Sequence, residues 1–95
     1  MKKMKISEDD IILFNKIVEK NKNAFVLKSK NGKSYLSCKS IQDLFEKAEF
    51  ENEFEYLITI DKNINEENIK FIKAKVEKGF KLYLVKENKI IEAKI

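Results

Sequence analysis

The chain has 95 residues, 20 basic and 16 acidic, with a formal net charge of +4 and a pI near 9.1. That is enough material for one small domain. Every basic residue is Lys. There is no Arg, His, Pro or Trp, and the single Cys is Cys38. Without His there is no imidazole general base, no phosphohistidine and no Cys/His zinc site. One Cys cannot close an internal disulfide, which points to a reducing, cytoplasmic setting. The apolar runs Ile11–Phe14 and Phe25–Leu27 are too short to span a membrane. No apolar h-region follows the N-terminal Lys residues, so a signal peptide is not expected.

Strand and helix signals alternate along the whole chain. Lys2–Ile6 reads as a short first strand. Ser7 then suits an N-cap, with Glu8, Asp9 and Asp10 in the first turn of a helix. Ile6 and Ile11 are spaced for a hydrophobic staple. Ile11, Phe14 and Val18, with Leu13 and Ile17, form an apolar stripe at helical period to about Asn21.

Ala24–Ser29 and Lys33–Cys38 read as two strands joined at Asn31-Gly32, a dipeptide suited to a two-residue type I′ hairpin. Ser40 is a second N-cap, opening a short helix Ile41–Lys47 that presents Ile41, Leu44 and Phe45. Ala48–Glu53 is an acidic connection. In Phe54–Ile60, residues Phe54, Tyr56, Ile58 and Ile60 share one face, and Leu57 on the other marks a central strand. Asn65 is a third N-cap, for a helix with Ile69, Ile72 and Val76 on its buried stripe and Gly79 at C′. Strands Lys81–Lys86 and Lys89–Lys94 follow, joined across Glu87-Asn88.

The order is β-α-β-β-α-β-α-β-β, an α+β pattern. The stretch Lys30-Asn31-Gly32-Lys33-Ser34-Tyr35-Leu36-Ser37-Cys38-Lys39-Ser40-Ile41 resembles the central segment of the histidine-containing phosphocarrier protein (HPr) family, where a Gly-turn hairpin runs into a Lys-Ser-Ile helix start. Leu57-Ile58-Thr59-Ile60-Asp61 resembles that family's fourth strand, and Glu66–Gly79 its last helix. The resemblance covers about residues 2–79. It implies an HPr-like open-faced β-sandwich of strand order 1-4-2-3, an antiparallel sheet with its helices on one face. Residues 1–79 would form the HPr-like core, and 80–95 a C-terminal hairpin extension of the same single domain. Where the family carries its phosphate-accepting His, this chain has Ser7-Glu8-Asp9-Asp10. Phosphotransfer through His is therefore absent. Ser40 matches a serine that is phosphorylated in some members and is a candidate regulatory phosphosite. As a preferred N-cap it also has a sufficient structural role.

Nothing points to catalysis, so the protein is not expected to be an enzyme, and no cofactor or metal is expected. Residues 40–68 hold two Lys and nine acids, a net −7, between basic stretches of +6 (16–39) and +5 (69–95). Such a dipolar pattern suits recognition of a charged partner. The leading expectation is a non-catalytic, HPr-like protein acting by protein–protein contact in a regulatory or adaptor role. Candidate partner-binding residues are Glu46, Glu49, Glu51, Glu53, Glu55, Lys70, Lys73, Leu84 and Ile91. A homodimer through the C-terminal hairpin is a further use for Leu84 and Ile91. One alternative is a small phage or mobile-element inhibitor, with acids of the Glu46–Glu55 segment mimicking phosphates against a nucleic-acid-processing enzyme. Another is nucleic-acid binding, with Lys70, Lys73, Lys75 and Lys78 on a helix and Phe25, Tyr35, Tyr56 and Tyr83 on strands as a stacking platform. The lack of Arg weighs against that last reading.

Overall fold

A computed structural model describes residues 12, 14, 16, 24–86 and 89–94. The expected first strand Lys2–Ile6, the Ser7 cap, the Ile6–Ile11 staple and the Glu87-Asn88 connection lie outside the described residues. Strands β1 (Phe25–Ser29) and β2 (Tyr35–Cys38) precede helix α1 (Ile41–Lys47). A 3₁₀ turn (Glu51–Glu53) leads into β3 (Phe54–Ile60). A second 3₁₀ turn (Asp61–Asn63) and α2 (Ile69–Glu77) lead into β4 (Lys81–Lys86) and β5 (Lys89–Ala93).

The strands form one sheet in the order β2-β1-β3-β4-β5. β1 runs antiparallel to β2 and β3, and β4 antiparallel to β5, but β3 and β4 are parallel. The sheet is therefore mixed, which corrects the antiparallel expectation. The reason lies in residues 61–80. They contain α2, and a helical crossover returns the chain to start a neighbouring strand in the same direction. β3 lies at the centre of the sheet, between the antiparallel β1 and the parallel β4.

The two sheet faces bury different sets. Phe25, Leu27, Leu57 and Leu82 meet Ile41, Leu44, Phe45 and Ala48 of the α1 region, Ile72 of α2, and Phe80. Val26, Tyr56, Ile58, Tyr83 and Val85 form the other face, where Phe14 packs. Phe14 is helical and buried. Helical residues thus cover both faces, not one, and the sheet is not open-faced over its centre. Burial on both faces is what the near-continuous apolar runs Phe25–Leu27 and Tyr56–Ile58 require.

Local chemistry explains the element ends. The Ser40 hydroxyl accepts from the Asp43 amide at 3.4 Å, and Ile41, Leu44 and Phe45 put a buried stripe at i, i+3, i+4. The Asn65 carboxamide accepts from the Asn68 amide at 3.1 Å, so Asn65 caps the turn that leads into α2, whose regular part starts at Ile69. At the other end Phe80 donates to the Lys75 carbonyl and Gly79 to that of Val76, with Gly79 at φ +113°. That is a Schellman ending with glycine where the sequence places it.

Two details differ from the sequence reading. The β1–β2 turn has four residues, not two. Ser29 donates to the Ser34 carbonyl at 2.9 Å, enclosing Lys30–Lys33, and Gly32 (φ +76°) donates to the Ser29 carbonyl. The Asn31 carboxamide oxygen accepts from the Ser29 hydroxyl at 2.6 Å and the Lys33 amide at 2.9 Å, a side-chain turn that competes with the tighter hairpin. Second, the register slips between Lys28 and Ser29, which pair with Tyr56 and Phe54 and leave Glu55 as the extra residue. This bulge turns Phe54 away from the Tyr56 face and onto the α1–α2 face.

Candidate functional site

The acidic connection is built around a fixed loop. Lys75 of α2 reaches back to the Glu51 carboxylate at 2.6 Å. Its ammonium also lies 4.4 Å from the centroid of Phe45 and 5.3 Å from that of Phe71. Phe45 touches Phe71 and Phe80 in tilted and edge-on contacts. The Lys75 side chain is largely buried, and its ammonium sits against one carboxylate and two π-faces. The loop after α1 is thereby tied to α2.

The tie determines which acids remain available. Glu51 is committed to Lys75, and Glu55, at the bulge, lies 3.5 Å from Lys81. Glu46, Glu49 and Glu53 are exposed and have no ion pair with a described residue. In their midst Phe50 is 62% exposed. Its carbonyl accepts from the Glu53 amide at 2.9 Å, so the ring stands at the entry to the 3₁₀ turn. Phe50 was not among the residues singled out from the sequence. An aromatic stranded in an acidic stretch, outside every apolar periodicity, was the signal.

The other candidates are scattered. Lys70 and Lys73 are exposed on α2. Leu84 is half-buried on β4 and pairs with Ile91 of β5, which is 49% exposed. Ser40 is half-buried at the start of α1, beside a polar hollow of about 270 Å³ that Lys39, Lys62, Asn65 and Asn68 also line. Cys38 is half-buried against the α1-side core. A shallow groove of about 510 Å³ runs past Lys30, Asn52, Phe54, Lys78 and Phe80. Its acids, Glu51 and Glu55, are the paired ones.

The aromatic platform expected for base stacking is not presented. Phe25, Tyr56 and Tyr83 are buried, and Tyr35 alone of that set is exposed. Tyr56 and Tyr83 pack on each other at 5.8 Å instead. Among the described residues no cluster of three or more His, Cys, Asp or Glu could hold a metal ion, and no helix is long and apolar enough to cross a membrane. No family model, curated protein or solved structure matches the chain.

Proposed function

We propose that this protein works by binding another protein through the loop around Phe50, without a catalytic step. The observation that carries the reading is an exposed aromatic ring held on a braced loop between carboxylates that have no ion pair among the described residues. Large exposed aromatics on rigid supports are the side chains that dominate protein interfaces, and charged neighbours form the rim. The partner this surface fits has an apolar pocket bordered by basic groups. Such a surface suits an adaptor or regulator. It suits equally an inhibitor that occupies a basic groove, because Glu46, Glu49 and Glu53 present negative charge as phosphates would. Membership of the HPr-like group belongs to the same proposal. Its support is the β2-β1-β3 order and the hairpin that runs into the Ser40-capped helix. The parallel β4 speaks against it.

Capture from extract with the tagged full chain tests the binding reading. A partner held by the wild type is expected to be lost with Phe50→Ala. It is also expected to be lost when Glu46, Glu49 and Glu53 are all changed to Lys. If both variants retain the same partners, the Phe50 surface is not the binding site. A salt-dependent shift assay with DNA and RNA separates the nucleic-acid reading, since phosphate contacts weaken steeply with salt.

A further inference from the structure

We propose that β5 is a self-recognition edge, through which two copies of the chain pair antiparallel into one continuous sheet. β5 is the last strand of the sheet among the described residues, and one side of its main chain has no partner strand among them. Two residues separate the paired Lys86 and Lys89, which makes this closing pair a hydrogen-bonded one. Alternation along the ladder then turns the main-chain groups of Ile90, Glu92 and Lys94 outward. These are the groups a further strand would use.

The occupant is argued from charge. Glu92-Ala93-Lys94 reads as its own complement when one copy is reversed against another. With Ala93 facing Ala93 across a two-fold axis, Glu92 of each copy stands directly opposite Lys94 of the other, on one face of the sheet. Ala93 falls at a non-hydrogen-bonded position, where the strands come closest and a small side chain fits. Glu92 and Lys94 are exposed and have no ion pair with a described residue. A second strand would also cover Ile91, which α1 and α2 leave open. The opposite edge provides the contrast. There Lys33 and Lys39 bracket β2 with no acid between them. Reversing that edge on itself sets Lys against Lys, which blunts it in the usual way. Both surfaces can act at once, for the pairing involves none of the Phe50 loop.

One short strand pair buries little area, so the association is weak and reversible. Sedimentation equilibrium of the full chain up to about 1 mM is expected to show monomer passing into dimer. Glu92→Lys and Lys94→Glu each convert two attractive cross-strand pairs into two repulsive ones, and each is expected to weaken the dimer about tenfold. An equimolar mixture of the two variants restores opposite charges at both positions, and a heterodimer is expected at wild-type strength. Glu92→Pro deletes an outward N–H while sparing the β4 ladder and should also give monomer. Thermal midpoints unchanged among these exposed-site variants show that each still folds. Wild-type protein that stays monomeric up to that concentration overturns the proposal. So do single charge variants that dimerise as well as wild type, or a mixture that fails to recover.

Discussion

The two ends of the sheet are built on different terms. At the β2–β1–β3 end, Phe25, Leu27 and Leu57 meet Ile41, Leu44 and Phe45, and Leu57 is fully buried in the central strand. At the β4–β5 end the same face is thinly covered. Leu82 is buried, Leu84 is half-buried and Ile91 is about half open. The first end spends its apolar residues on stability, and the second leaves some available for contact. A domain of this size has little stability in reserve, so an exposed Ile on a peripheral strand stands out more here than it would in a larger protein.

The sharpest way to break that comparison is to truncate one residue at each end. Leu57→Ala removes a fully buried side chain between two helices and a sheet. It is expected to cost about 3–5 kcal/mol, enough to unfold much of the population at 25 °C. Ile91→Ala should cost no more than about 0.5 kcal/mol. Urea titrations followed by circular dichroism read both. Equal losses would mean that the hairpin end is as much a part of the core as β3.

Next in size is the brace. Lys75 is 11% exposed at its side chain and Glu51 35%. Lys75→Met keeps the stem against Phe45 and Phe71 but strands the Glu51 carboxylate, and a loss of about 1–2 kcal/mol is expected. Combining it with Glu51→Gln should recover part of that loss, because no half-buried charge is then left alone. A double-mutant cycle with additive losses would show that the two groups do not depend on each other. Gly79→Ala follows, at about 1–2 kcal/mol. Nothing lies within 4 Å of the added methyl, so the whole effect comes from φ +113°.

How far the sequence foretold these features depended on whether the signal was local. The span of α1, the β3 strand, the Ser40 cap and the Gly79 ending were all legible, because capping and periodicity act within a few residues, whereas Asn65 caps only a turn and α2 itself is capped at Asn68, three residues later than expected. The direction of β4 was not. Whether a crossover or a hairpin joins two strands is settled by where α2 packs, and the resemblance to an antiparallel family pulled the reading the wrong way. The bulge at Glu55 was also hidden. Strict alternation puts Phe54 with Tyr56, and only pairing with β1 shows the slip. Among the candidate contact residues, charge alone ranked Glu51 and Glu55 with Glu46, Glu49 and Glu53. The partners that separate them, Lys75 and Lys81, come from 24 and 26 residues further along the chain.

The smallest expected effect separates the two roles open to Ser40. Its hydroxyl accepts from Asp43 at 3.4 Å, the long end of a cap bond. Ser40→Ala should therefore cost about 0.5–1 kcal/mol, toward the lower end of the range for lost caps. Ser40→Asp keeps an acceptor at the cap and adds charge at the positive end of a short helix, where it also faces Asp43. The attraction of the helix end and the repulsion from Asp43 oppose each other, so stability close to wild type is expected. If Ser40→Ala loses stability while Ser40→Asp retains it and both bind the Phe50-dependent partner alike, Ser40 serves the helix alone. If Ser40→Asp abolishes that binding at unchanged stability, charge at this position is read by the partner. Regulation by phosphate at Ser40 would then have a physical basis, since the hollow beside it is lined by Lys39 and Lys62 against the single carboxylate of Glu67.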